Sequence, residues 1–302
     1  MQTQAFTRED LGNFRNVQRL AYDCVQAVER QLQVGMTEKD AVRLMREWLA
    51  AKGVTELFHN PFAWFGDRAA FKGFWADHKF FATGRKLEHG TAGILDVAPI
   101  VDGYSADIGY CFVHGKADAL DDMDRVLIRC REQILADVKA RKTFKQIYRN
   151  VDALIEGAGF ANQHKRYPHR VIGHRIARFE KNPLNRIRWM GFGLPQYVAL
   201  IVRAWGAKLF PSWVRSPLWN DRRESDHAPF VGLWAVEPHI SLKDQSLGTK
   251  WEEILVITET DAWWLDDDVP HVRKAERKGW MKRAGAPARP VREREAVAAL
   301  VC

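Results

Sequence analysis

The chain has 302 residues, is 46% hydrophobic and 28% charged, and carries a formal net charge of +8. That balance fits a globular protein with a substantial core and excludes a fibrous or disordered chain. Its four cysteines are scattered without a CxxC pair or a His/Cys cluster, which excludes a disulfide framework and a thiolate zinc site and points to a reducing compartment. The N-terminus lacks a secretion-signal pattern and no apolar run approaches the roughly 18 residues of a membrane span, so a cytoplasmic protein is expected.

From Glu9 to Leu32, apolar residues recur at helical spacing. Gly35 ends this helix, and Thr37 with Asp40 resembles a capping start for a second one running to Ala51. An aromatic-rich stretch leads into ILDVAPIVDGYSAD, residues 94–107, which reads as a buried β-hairpin. Asp102-Gly103 is a strong two-residue turn. That turn pairs Val101 with Tyr104, Ala98 with Asp107 and Asp96 with Gly109. Residues two apart on a strand share a face, so Asp96, Ala98, Asp107 and Gly109 point the same way. A buried, unpaired charge is very costly, so the two carboxylates need neutralising. Ala98 and Gly109 are small and leave room for a cation; a solvated acidic face is the alternative.

A second pair of helices is marked by Met123–Val138 and Phe144–Ile155, the latter ended near Gly157 and Gly159. The extended segment YPHRVIGHRIARFE follows, with His169 and His174. Two strand segments close the round: LWAVEPHISL with Glu237, and WEEILVIT with Glu252 and Glu253. Helix, helix, acidic β-element therefore occurs twice. The expectation is an α+β fold, one domain of two similar halves around a central curved sheet. Asp96, Asp107, His174, Glu237 and Glu252 each lie in or beside an apolar strand-like segment. Four carboxylates and an imidazole suit a pair of first-row divalent ions, which can hold a shared hydroxide for hydrolysis. Strand alternation turns Glu253 away from Glu252, into a salt bridge.

These motifs resemble the pita-bread metallopeptidases, which include methionine aminopeptidases, prolidases and aminopeptidase P, over roughly residues 9–260. LDVAPIVDGYSAD matches the family's two Asp ligands, eleven residues apart; VIGHRIAR matches its Gly-His, AVEPHI its Glu-Pro, and KWEEILVIT its final Glu. The resemblance implies the pita-bread fold, with two pseudo-symmetric helix-helix-β halves. It implies that Asp96, Asp107, His174, Glu237 and Glu252 hold two Mn, Co, Fe or Zn ions. It also implies a metal-bridged hydroxide attacking a peptide or other amide bond, in an aminopeptidase- or dipeptidase-like reaction. Glu237 would shuttle the proton, and His78, eighteen residues before Asp96, would contact the substrate. In GHRIARFEKNP, Arg175 replaces a family Gly, and Glu180 stands near where a second catalytic His falls, which makes it a catalytic candidate. Two other readings remain: a binding protein that has lost catalysis, and a metal enzyme with divergent chemistry on a hydrophobic small molecule.

His174 and Glu237 lie 63 residues apart, leaving an insertion at about 184–230 that holds Trp189, Trp205, Trp213 and Trp219. Between Pro195 and Pro211, Val198, Ile201, Val202, Trp205 and Leu209 form one helical face, with Gln196 and Arg203 opposite. The insertion is read as a lid over the site, as a peripheral membrane contact through residues 190–219, or as a homodimer contact. Trp205 and His239, two residues after Glu237, are candidate substrate contacts. Residues 1–270 are read as the catalytic domain and 271–302 as a basic, loosely ordered tail, with no specific nucleic-acid partner expected.

Overall fold

Helices α1 (Arg8–Glu29) and α2 (Glu38–Ala51) both begin on threonine capping boxes, Thr7 with Asp10 and Thr37 with Asp40. Their apolar stripes converge through Ala21, Val25 and Val28 on one helix and Ala41, Met45 and Leu49 on the other. They pack against an antiparallel sheet of β1 (Phe62–Phe65), β2 (Ala92–Val97) and β3 (Ile108–Val113), with β2 in the middle. In this computed structural model residues 6–281 are described, apart from 181–183, 185–186, 190 and 211–212. The hairpin has the expected register: Asp96 faces Gly109 and Val101 faces Tyr104. Its turn residues, Asp102 and Gly103, both have positive φ, as a two-residue turn requires.

The second half repeats the plan. Helices α3 (Asp118–Lys139) and α4 (Phe144–Gly157) back a five-stranded sheet. Its strands are β4 (Gly173–Ile176), β5 (Leu218–Trp219), β6 (Gly232–Val236), β7 (Glu253–Ile257) and β8 (Ala262–Trp264). They run in the order β5-β4-β6-β7-β8, every neighbouring pair antiparallel. The halves are stitched along one seam: the Glu252 N–H donates to the Gly109 carbonyl at 3.2 Å, and the Phe179 N–H to the Gly103 carbonyl at 2.7 Å.

Two sequence expectations change here. The folded body does not end at residue 270: helix α6 (Pro270–Arg277) buries Val272 and Ala275, and Lys274 holds Asp124 of α3 at 2.6 Å. Only residues 282–302 of the expected tail lie outside the described residues. The insertion forms a short hairpin, Arg188–Trp189 with Phe192–Gly193, followed by α5 (Leu194–Leu209). The hairpin bonds to the segment before β1, through Gly193 N–H to Phe58 O at 2.7 Å and Asn60 N–H to Gly191 O at 2.6 Å. Of the apolar face of α5 read from the sequence, Ile201 lines the cavity, but Trp205, a candidate substrate contact, does not. Gln196, Ala204 and Ala207 are buried, whereas Val198, Val202, Trp205 and Leu209 are exposed. The small alanines allow the close helix approach that the larger side chains would block.

Candidate metal centre

The seam brings Asp96 (β2), Asp107 (beside β3), His174 (β4), Glu237 (after β6) and Glu252 (before β7) to the floor of one cavity, all five buried. Asp96 and Asp107 share a face across the hairpin; His174 and Glu237 come from antiparallel neighbours; and the Glu252 backbone is tied to Gly109. His174 Nε2 lies 3.2 Å from Asp107 Oδ2 and 4.0 Å from Glu252 Oε1, its ring stacked on Phe58 at 5.7 Å.

Two resident groups answer how the acids are neutralised, and neither was foreseen from the sequence. Lys250 is the first. Its buried ammonium donates to Asp96 Oδ2 at 2.8 Å, Glu252 Oε2 at 2.9 Å and Glu237 Oε2 at 3.0 Å. The space expected beside Gly109 for a cation is filled by this side chain, since a Cβ on Gly109 would sit 2.2 Å from Lys250 Cε. The signal was present: Lys250 precedes Glu252 by two, so alternation puts both on one face. His59 is the second. Its Nε2 lies 2.9 Å from Asp107 Oδ1 and 3.2 Å from Asp96 Oδ1, while Nδ1–H donates to the Asn60 carbonyl at 2.7 Å. Long-range pairings bring the preceding loop here, Phe62 with Asp96 on one side and the Phe58 N–H to the Ala98 carbonyl at 2.8 Å on the other, and no local motif announces them.

Burial and charge set the protonation of this cluster. Burial opposes a charged His59, but Asp107 and Asp96 outweigh it and raise its pKa well above the usual imidazole value. His174 is raised in the same way, by Asp107 and Glu237 against burial. Burial lifts Glu237, and lifts Glu252 well above the ordinary carboxylate range with help from Asp107 and Glu237, although Lys250 opposes both shifts. Burial acts the same way on Asp107, yet His59 and His174 reverse it and hold that carboxyl low.

The donor set fits divalent cations. Asp107, His174 and Glu252 each offer a ligand atom within 4.8 Å of the others, and His59, Asp96 and Asp107 form a second such trio. In the carboxylates of Asp96 and Glu252 one oxygen faces Lys250 and the other faces a histidine. Four carboxylates against one ammonium leave surplus negative charge that protons on the histidines, or cations in their place, must balance.

The other expected site residues are elsewhere. His78 is exposed on a 3-10 turn against Trp75, outside the cavity. Glu180 and Trp205 are exposed and do not line the cavity. His239 is buried behind the wall: its Nε2–H donates to the Ala69 carbonyl at 2.7 Å, and Nδ1 faces the Tyr167 hydroxyl at 3.4 Å. Burial and Lys250 push its pKa well down, so it is a neutral prop for Tyr167. Arg175 turns out of the site to lie over Phe230. Glu253 points away from Glu252, as expected, and pairs with Arg131 at 2.5 Å and His271 at 2.9 Å.

Above the acidic floor the cavity is walled by aromatic and aliphatic side chains, among them Phe58, Phe62, Trp64, Phe81, Phe192 and Tyr197. Helix α5 contributes Tyr197, Leu200 and Ile201, so the insertion forms part of the pocket wall. Among the described lining residues there is no arginine or lysine.

The architecture is that of the pita-bread proteins. It superposes on an X-Pro aminopeptidase from Thermotoga maritima (TM-score 0.64, 17% identity, 89% of this chain and 64% of that one). It also matches a prolidase from Pyrococcus furiosus (0.62, 15%, 87% and 65%) and a methionine aminopeptidase from Rickettsia prowazekii (0.54, 14%, 87% and 99%). The sequence profile of metallopeptidase family M24 matches residues 12–189, and the chain belongs to that family. Glu237 and Glu252 lie beyond the matched span. Uncharacterised peptidases of Staphylococcus epidermidis (22% identity over 171 residues, 56% of this chain and 46% of the relative) and Staphylococcus saprophyticus (25% over 168, 55% and 45%) are related. The chain spans about half the length of these relatives.

Proposed function

We propose that the chain is a metal-dependent hydrolase of peptide or other amide bonds, aminopeptidase-like, acting next to an apolar side chain. The observation that carries this reading is the convergence of Asp96, Asp107, His174, Glu237 and Glu252 from both halves at the foot of an apolar cavity. Oxygen and imidazole donors suit two ions of the Mn, Co, Fe or Zn kind, held by Asp107, His174 and Glu252 and by Asp96 and Asp107 with His59. Such ions, when bound, make water nucleophilic at neutral pH and polarise the scissile carbonyl.

The remaining roles belong to the chain. Glu237, its pKa raised by burial, suits a proton shuttle that takes a proton from the attacking water and returns it to the leaving amine. The aromatic wall excludes water and aligns the substrate. Its space, about 140 Å³, compares with a cavity that admits a benzene-sized group, so one ring or branched aliphatic side chain fits.

The test is purified protein stripped of metal, reloaded with Mn, Co or Zn, and assayed on amides of Phe, Leu, Met and X-Pro peptides and on N-acyl amides. Metal-restored cleavage beside apolar residues is expected. A protein that binds metal and cleaves none of them overturns the reading. Lys250, seated on three of the four carboxylates, favours one rival, a non-catalytic binding protein needing no metal. Metal analysis of the purified protein separates the two: bound ions favour the enzyme, their absence the scaffold.

A further inference from the structure

We propose that the outer face of α5 and the turn after it form a docking surface for an anionic lipid bilayer. Val198, Val202, Trp205 and Leu209 make one stripe along the helix, continued by Phe210 and Trp213; Trp205 is 62% and Trp213 90% exposed. A contiguous apolar patch of this kind on a monomer marks an interaction site.

Charge identifies the occupant. Between Glu180 and Asp221 the sequence contains no acidic residue, and its charged residues are Lys181, Arg186, Arg188, Arg203, Lys208 and Arg215. Among the described members, Arg203, Lys208 and Arg215 are exposed. A second copy seated face to face would set cations against cations, because a two-fold interface opposes each patch with itself. Nucleic acid would satisfy the cations but leave the aliphatic and indole groups without a purpose. Tryptophan, phenylalanine and leucine on one face, with only basic charge in the same stretch of sequence, is the composition of a helix lying in a headgroup region. No helix among the described residues is long and apolar enough to cross a membrane, so the contact is peripheral.

An adjoining face of the same helix lines the cavity through Tyr197, Leu200 and Ile201. A docked bilayer would therefore lie against the helix that forms part of the pocket wall. The proposal stands apart from the hydrolase reading, because binding is measured without substrate or metal.

The experiment is co-sedimentation of the full chain with vesicles of pure phosphatidylcholine and of phosphatidylcholine with about one-third phosphatidylglycerol. Binding to the anionic vesicles is expected, weakened by salt. The double variant Trp205→Ser/Trp213→Ser is expected to lower the partition coefficient about tenfold or more, with Lys208→Glu giving a smaller loss. Melting temperature and metal content verify that the variants are folded. Undiminished binding by the double variant would assign the effect to the basic C-terminal residues and overturn the proposal. So would absence of vesicle binding, whether the chain is monomeric or forms dimers that the tryptophan changes dissolve.

Discussion

Glu252 and Glu253 are consecutive, both buried, and face opposite sides of the chain leading into β7. Glu253 meets Arg131 and His271, and against the effect of burial the Arg131 charge and the hydrogen bonds from both hold its pKa below the usual value. Glu252 meets Lys250 but also the charges of Asp107 and Glu237, and its pKa is driven well up. One position is a completed ion pair that serves stability. The other is left without enough opposite charge, the environment that the proposed cation site calls for. Burial alone does not separate structure from function here; the ratio of opposite charges does.

The largest expected effect comes from Glu252→Gln. It removes a carboxylate from the floor and should lower hydrolysis by about a thousandfold, several kcal/mol of transition-state stabilisation. The same change should help the metal-free fold. A carboxyl whose folded pKa is raised contributes stability below its unfolded value, near 4.3, and loses it as pH rises through the folded value. Metal-free wild type should therefore weaken as pH rises above the unfolded value, and the variant should show a smaller fall, measured by urea unfolding at a series of pH values. If the variant is as active as wild type, or its metal-free pH profile is unchanged, the contrast with Glu253 fails.

Arg131→Met attacks the other member. Removing one partner of a buried pair leaves Glu253 uncompensated apart from His271, and a loss of about 3–5 kcal/mol is expected, with metal content unchanged. Because the pKa of Glu253 is depressed, its contribution is present above the unfolded value and disappears as pH falls through the folded one. Acid unfolding of wild type should accordingly be steeper than that of the variant. A loss of bound metal in Arg131→Met would show that the two faces are not separable.

The smallest effect is expected from His59→Gln: metal affinity about tenfold or more weaker at the ion that Asp96 and Asp107 would hold, with the ion at His174 retained. The dependence of affinity on pH should also flatten, since His59 has to release a proton before its Nε2 can bind a cation. Calorimetric titration of metal into the stripped variant checks both, and unchanged binding would reduce His59 to a counter-charge.

The helix order, the hairpin register and the five converging donors were legible because each rests on local periodicity or on a motif a few residues long. The Asp102-Gly103 turn alone placed Asp96 opposite Gly109. What could not be read depended on distant pairings. His59 enters through the register of β1 on β2, and His78, at a plausible spacing, lands outside. On α5 the apolar periodicity was real, but which surface covers it was left open: Ala204 and Ala207 pack inside while Trp205, a candidate substrate contact, stays outside. Periodicity reports that a helix has an apolar face without saying which surface covers it.

Lys250 threads its stem through the gap left by the missing side chain of Gly109 and ends fully enclosed. Its ammonium is held there by Asp96, Glu237 and Glu252. Every ion that enters therefore meets a fixed positive neighbour, which weakens its hold and speeds its departure. Metal in this protein should exchange readily with its surroundings, so that the supply outside, more than the donors inside, decides which element it carries.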